Sequence, residues 1–322
     1  MARMLVTGAA GFIGSSLVRE LCAQGHEVRG IDNLVTGKLE NLSDVLDLVN
    51  FSEGDVCDES LIRSLCQDVD VVFHEAALPS VAKSVLDPST SHQANIEGTF
   101  SVLMAARDTG VKRIVYAASS SAYGESPTLP KHEGMLPAPI SPYAVQKLAG
   151  ELYMQSFARV YNIETVCLRY FNVFGPGQAA DSPYSGVLAK FITSMLTGIV
   201  PTIYGDGNQS RDFTYIDNVV RANLLAAFAP ADKVSGKIYN IACGKNYSLL
   251  ETYELLAHLI EFRKLPVFAP TRNGDIRHSL ASIEKAQQDF GYTPTVGFEE
   301  GLSRTVDWYA NKLWYATELV SA

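Results

Sequence analysis

Apolar and polar positions in the first half of the chain alternate between two periods. "RMLVTG" is a short apolar run closed by glycine, and "FIGSSLVRELCAQ" after it places Phe12, Leu17 and Leu21 on one helical face. "HEVRGID", "VNFSEGD" and "VDVVFHEAA" read as second, third and fourth strands. Past Pro88 a long helix is predicted through "HQANIEGTFSVLMAARDTG", ending at Gly110. "VKRIVYAAS" is a fifth strand and "IETVCLRYF" a sixth. Between them Ser141 as N-cap and Pro142 at the first helical position open a helix over "SPYAVQKLAGELYMQSFARVY". Such alternation with short connections predicts an α/β fold, a doubly wound parallel sheet covered on both faces. Beyond about Tyr170 the pattern loosens into shorter elements, separated by "NVFGPGQAADSPYSG", "YGDGNQSRDF" and "PTRNGDIRHS". The expected organisation is a dinucleotide-type domain over 1–172 and a smaller α/β region over 173–322, mainly for substrate, packed on its active edge. No internal repeat, linker or low-complexity tract interrupts it.

Composition sharpens this picture little. The 322 residues are 47% apolar and 19% charged, an ordinary globular balance with ample material for a core. The net charge is −9, from 26 basic and 35 acidic residues, which argues against nucleic acid or an anionic membrane as partner. An anionic ligand would have to be held by a few placed Arg and Lys residues. The five cysteines are scattered, without CxxC or Cys/His metal spacing, as expected of reduced side chains in a cytosol. His74, His92 and His278 read as strand-end, helix and loop residues, so no metal is expected. "MARMLVTG" enters a strand directly and no apolar stretch has membrane-span length, so the expectation is a soluble cytoplasmic protein.

The candidate chemistry begins at "TGAAGFIG", where Gly8, Gly11 and Gly14 lie between the first strand and the first helix. Glycines there permit a tight turn, close approach to a pyrophosphate and close helix packing, and the helix N-terminus offers N–H groups to phosphate. With strand, helix and a following acid all in order, this is a Rossmann dinucleotide fingerprint. Asp32, ending the second strand, is placed to accept hydrogen bonds from the adenosine ribose and would repel a 2′-phosphate, favouring NAD over NADP. Asp55, ending the third, is a candidate for the adenine amino group or a plain turn residue.

Tyr143 and Lys147 are four apart on a predicted helix and share one face. A lysine ammonium beside a phenol favours the phenolate, and a cationic nicotinamide nearby would favour it further. Such a tyrosine can take a proton from a sugar hydroxyl as hydride leaves the same carbon. Upstream, "ASSSAYG" places three serines at the end of the fifth strand, where α/β proteins hold their ligands.

Together "TGAAGFIG", "ASSSAYG", "SPYAVQK" and "LRYFNVFGPGQ" resemble the extended short-chain dehydrogenase/reductase family, nearest its UDP-sugar 4-epimerases, over Met4 to about Tyr309. The resemblance implies that Ser119 bonds the reacting sugar hydroxyl, with Ser120 and Ser121 as neighbours in contact with the sugar or completing the turn. It implies a tightly bound NAD. Its contacts would fall at Gly8, Gly11, Phe12, Ile13, Gly14, Asp32, Asn33, Thr36, Gly37, Asp55, Val56, Ala76, Ala77, Leu78, Asn95, Tyr143, Lys147 and Tyr170. For a UDP-sugar it implies, besides the serines and Tyr143, the positions Ser80, Asn172, Val187, Leu188, Tyr204, Arg211, Arg272, Asp275 and Ser279. Arg211 and Arg272 would take the pyrophosphate, since the guanidinium fork suits phosphate oxygens, and Asp275 the ribose. Each of these residues also has a purely structural reading, a surface charge for the arginines and a satisfied core amide for Asn172.

The same stretch narrows the reaction. Family dehydratases carry an Asp-Glu pair where this chain has Ser120 and Ser121, and the decarboxylases place a glutamate there. Without an acid for elimination, the expected chemistry is oxidation to a 4-keto sugar, then return of the hydride with inversion at C4. Ser279 stands where simple glucose/galactose epimerases have a bulky tyrosine. A small residue there leaves room for an acetamide, so UDP-N-acetylglucosamine and its C4 epimer are expected substrates, with UDP-glucose and UDP-galactose also accepted. The alternatives are a UDP-glucuronate 4-epimerase, a net dehydrogenase, and a non-catalytic NAD-binding regulator, which would be expected to lack Tyr143 or Lys147. A homodimer through two helices of the nucleotide domain is the assembly the family implies.

Overall fold

The computed structural model describes residues 1–180, 186–271 and 276–321, with side chains up to 313 in the last stretch. Six strands follow the predicted runs: β1 (Arg3–Thr7), β2 (Glu27–Asp32), β3 (Val49–Glu53), β4 (Val71–His74), β5 (Arg113–Ser119) and β6 (Glu164–Tyr170). A seventh, Lys237–Ile241, pairs with β6 beyond the end of that series. The order across the sheet is the seventh strand, β6, β5, β4, β1, β2, β3, and every pair is parallel. The order reverses at the β1–β4 boundary, which is where such sheets open a crevice for ligands.

The strands are nearly continuous apolar runs because both faces are covered. Leu5, Val72, Ile114 and Cys167 point to one side, against Glu59–Leu65, Gly98–Thr109 and Pro142–Val160. The alternate residues Met4, Val6, Phe73, Val115 and Val166 point to the other, against α1 (Phe12–Ala23) and Ile216–Phe228. That second helix and the seventh strand both come from the C-terminal half, so the sheet and its cover draw on the chain from both sides of residue 172. Arg113 ties the halves together. Its buried guanidinium donates to the carbonyls of Ala226, Ala227 and Ala229 at the end of Ile216–Phe228 (2.9, 2.7 and 2.7 Å). A cation at a helix C-terminus meets both its unpaired carbonyls and its dipole.

The long helix expected after Pro88 is broken into Pro88–His92, a π turn over Gln93–Glu97, and Gly98–Thr109, capped by left-handed Gly110. One extra residue in a turn re-aims the helix beyond it, and such bulges gather at functional sites. Asn95 sits inside this one. The last helix, Phe298–Ser321, carries the chain beyond Tyr309. Among the described residues no helix is long and apolar enough to cross a membrane.

Candidate active site

The parallel register brings the ends of β1, β4, β5 and β6 to one edge, with Thr7 beside His74 and Ser119 beside Tyr170. After Thr7 the chain turns through Gly8 at φ +69°, where a Cβ would lie 2.8 Å from the Ala76 nitrogen. At Gly14 a Cβ would fall 2.0 Å from the Gly8 carbonyl oxygen, so α1 begins pressed onto the turn. Gly11 is the extended N-cap; the first helical turn, which includes Phe12 and Ile13, has neither a capping side chain nor an acidic residue. Its N–H face is thus open to an anion. A turn that only glycine fits, leading into an uncapped helix, matches a dinucleotide pyrophosphate.

The flanking acids are held rigidly. Asp32 accepts from the Ala10 and Leu34 backbone N–H groups (3.0 and 2.8 Å). Burial raises its pKa, although those N–H groups oppose the shift. Asn33 donates to Asp55 (2.8 Å), which also accepts from the Cys57 N–H (2.9 Å). Burial pushes Asp55 up, but these hydrogen bonds outweigh it and its pKa is lowered. Thr36 is exposed, while Gly37 and Val56 are buried, Gly37 next to the Asp32 carboxylate. Across the crevice Ala76 donates to Thr7 Oγ1 (3.2 Å), and Asn95 grips Leu78, accepting from its N–H at 2.8 Å. The Asn95 amide donates in turn to Gln146 (2.8 Å). Asn95 therefore shapes the Ala76–Ala77–Leu78 wall from behind. Ser80 caps Val81–Leu86, accepting from the Lys83 N–H.

Ser119 ends β5, and Ser120 starts the short 3₁₀ turn Ser120–Tyr123. Ser121 Oγ donates to Ser119 Oγ (2.8 Å), and Ser119 lies beside the Tyr143 phenol, whose pKa it lowers. A hydroxyl that accepts from one neighbour is a better donor to the next. Tyr143 and Lys147 come from the helix Pro142–Val160, whose N-cap Ser141 accepts from the Ala144 N–H. Lys147 Nζ donates to the Ala117 carbonyl (2.8 Å) and lies 4.9 Å from the Tyr116 ring centroid.

Here the electrostatics depart from the sequence expectation. Burial raises the Tyr143 pKa and only the Ser119 hydrogen bond offsets it. Lys147 is held down to about 8 by burial, opposed by the charges of Glu75 and Glu151. Tyr143 alone at this edge is a phenol, and the positive charge that would convert it must include the nicotinamide. Glu151 forms a two-pronged, fully buried pair with Arg169 (2.8 and 2.7 Å).

On the substrate side, Asn172 adopts φ +35° and its amide donates to the Asp212 carbonyl and to Ser279 Oγ (both 3.1 Å). Arg211 donates to the carbonyls of Ser210 and Arg277 (3.0 and 3.3 Å). Val187 opens the helix Val187–Leu196, behind an N-cap that offers no side chain, and the Leu188 side chain is buried. Tyr204 is half-exposed at the end of Thr202–Tyr204. Arg272 and Asp275 lie outside the described residues.

Two acids escaped the sequence reading. Asp212 is buried and accepts from the N–H groups of Cys243, Gly244 and Ala281 (3.0, 3.1 and 3.1 Å), fixing the loops that carry Arg211 and Ser279. Glu75 comes directly after β4 and accepts from the Tyr170 hydroxyl (2.7 Å), so Tyr170 turns its hydroxyl to this acid. His74 beside it is held between Thr7 and Thr99 (2.8 and 3.0 Å), and burial lowers it to about 3, so it stays neutral. An acid closing an apolar strand at the ligand edge was the signal available for Glu75.

Comparison with known proteins agrees with this geometry. Residues 4–242 match the profile of the NAD dependent epimerase/dehydratase family. The chain is 38% identical to a UDP-glucose 4-epimerase of Mycolicibacterium smegmatis, over 96% of this chain and 99% of that protein. The crystal structure of a Thermotoga maritima UDP-glucose 4-epimerase with UDP-glucose superposes with a TM-score of 0.92 at 38% identity, covering 97% of this chain and 99% of that one. A UDP-N-acetylglucosamine 4-epimerase from Methanobrevibacter ruminantium, in complex with UDP-N-acetylmuramic acid, gives the same score, identity and coverage.

Proposed function

The chain belongs to the NAD dependent epimerase/dehydratase family, and on that premise we propose that it inverts C4 of UDP-sugars, UDP-N-acetylglucosamine and UDP-N-acetylgalactosamine ahead of UDP-glucose and UDP-galactose. The observation that carries the reaction type is the Ser121–Ser119 hydroxyl pair at the end of β5, beside the buried Tyr143 phenol, with no carboxylate in "ASSSAYG". NAD, when bound along Gly8–Gly14 and Asp32, supplies reversible hydride exchange with the sugar carbon. Tyr143 takes the C4 hydroxyl proton and later returns it, while Ser119 orients that oxygen. With the nicotinamide of bound NAD present, the Lys147 ammonium would add to its charge in favouring the phenolate form. Rotation of the 4-keto sugar between the two transfers inverts the centre. Arg211 is the described cation assigned to the diphosphate.

The N-acetyl preference is supported by Ser279, whose hydroxyl holds Asn172 and whose size leaves space a phenol would fill. Ser279→Tyr is expected to lower kcat/KM for the N-acetylated pair about tenfold to a hundredfold, the scale of overpacking a formed pocket, while sparing UDP-glucose. Equal losses on both would remove Ser279 as the gate. Incubation with UDP-N-acetylglucosamine, UDP-glucose and UDP-glucuronate, followed by resolution of C4 epimers, tests the whole reading. Turnover of UDP-glucuronate alone would transfer it to that substrate, and no epimer from any of the three would overturn it. The proposed assembly is a homodimer through Gly98–Thr109 and Pro142–Val160, supported by the outward Val145, Leu152 and Tyr153 on the second of these helices.

A further inference from the structure

The helix Pro142–Val160 buries a third polar side chain beside Tyr143 and Lys147. Gln146, one turn after the tyrosine and next to the lysine, is only 4% exposed. Its side-chain carbonyl accepts twice, from Ser91 Oγ at 2.7 Å and from Asn95 Nδ2 at 2.8 Å. An amide oxygen has two lone pairs, so both are used. Ser91 and Asn95 are buried as well, one in the short helix Pro88–His92 and the other in the π turn that follows it.

Asn95 carries the connection onward. Its Oδ1 accepts from the Leu78 N–H at 2.8 Å, so the amide is pinned at both ends, acceptor side to Leu78 and donor side to Gln146. Turned over, it would set one N–H against another at Leu78. A second path leaves from the Asn95 backbone, whose carbonyl accepts from Thr99 Oγ1 (2.7 Å). With that hydroxyl proton spent, the neutral His74 donates to Thr99 from Nε2 (3.0 Å) and accepts from Thr7 at Nδ1 (2.8 Å). Thr7 Oγ1 in turn accepts from the Ala76 N–H (3.2 Å). Thr7 and Asn95 thus hold the segment Ala76–Ala77–Leu78 at its two ends, beside the Gly8 turn.

We propose that Gln146 is a positioning residue for catalysis: its amide carbonyl, gripped by Ser91 and Asn95, sets the turn that bears Tyr143 in register with the Ala76–Leu78 wall. This rests on the reading of Tyr143 as the proton acceptor and of that wall as part of the NAD site. Hydride and proton leave adjacent atoms of the sugar, the C4 carbon and its oxygen. The base and the cofactor must therefore keep a fixed spacing, although one is carried by the helix and the other lies against the wall. A misplacement of about 1 Å costs about a hundredfold in rate.

Gln146→Met keeps the length of the side chain and removes the acceptor, whereas Gln146→Glu keeps an acceptor in either protonation state. In Gln146→Met, kcat per bound NAD is expected to fall about tenfold, with KM for UDP-N-acetylglucosamine within about twofold of wild type. Gln146→Glu should bring kcat back to within about threefold of wild type, the scale of one neutral hydrogen bond. The structural readout is deuterium exchange at the Leu78 amide, followed by NMR. Asn95 released from Gln146 holds Leu78 less firmly, so that amide should exchange about fivefold faster in the Met variant and as in wild type in the Glu variant. Should Gln146→Met not fold, Ser91→Ala removes one of the two donors and should lower kcat about threefold with KM unchanged. Unchanged kcat or unchanged Leu78 exchange in folded, NAD-loaded Gln146→Met would overturn the proposal, as would losses that Gln146→Glu leaves standing. Faster Leu78 exchange in a protein that epimerises no UDP-sugar would uphold the link to the wall and refute the assigned reaction.

Discussion

Tyr143→Phe is expected to lower kcat about a thousandfold, within the range of general acid–base catalysis, while NAD remains bound and the melting temperature is little changed. The substitution deletes one oxygen, that of the phenol whose pKa the neighbouring Ser119 lowers. It leaves the ring and the glycine turn in place. Ser119 and Lys147 alone cannot replace it: a serine hydroxyl is too weak a base, and Lys147 is turned to the Ala117 carbonyl. Stopped assays of kcat, with bound NAD quantified after denaturation, check the result. A loss below about tenfold would mean that another group carries the proton, and loss of NAD would mean that the phenol acts in binding.

Gly14→Ala tests the cofactor cradle. Elsewhere in a helix the change would stabilise the protein by about 1 kcal/mol through helix propensity. Here the new methyl would sit 2.0 Å from the Gly8 carbonyl oxygen and 2.8 Å from its carbon. Both are backbone atoms that cannot swing away, so α1 or the turn must move. We expect a net loss of about 3 kcal/mol or more, at the upper end of overpacking costs, and purification of the protein without NAD. Denaturant midpoints and the NAD content of the purified chain measure both. A variant as stable as wild type with full NAD would show that α1 does not need its close seat.

Most of this site could be read from the chain because its parts are local. Strands buried on both faces become apolar runs, and the Gly8–Gly14 turn and the Tyr143–Lys147 pair each sit within one short segment. What was not legible depends on pairings across the chain. The strand Lys237–Ile241 joins the sheet beside β6 from far away in sequence, so no alternation announced it. The π turn at Gln93–Glu97 differs from an α-helix by one hydrogen-bond register, which composition does not encode. Asn95 was expected as a cofactor contact, and its bonds to Leu78, Ser91 and Gln146, which tie three segments together, were not announced by the sequence. Glu75 passed as the end of a strand because its partner Tyr170, and Asn223 behind that hydroxyl, come from other elements. Sequence also overstated the lysine. Four residues apart on a helix puts Lys147 on the side of Tyr143, but burial weighs on both groups, and no spacing rule reports that.

The central claim is that hydride leaves C4 and returns to the same carbon, with no net oxidation. The direct measurement uses UDP-N-acetylglucosamine carrying deuterium at C4, incubated in ordinary water without added NAD. The account predicts UDP-N-acetylgalactosamine that retains the deuterium at C4, with no accumulation of free NADH. Epimer that has exchanged its label with solvent, or NADH released in step with a keto product, would contradict it.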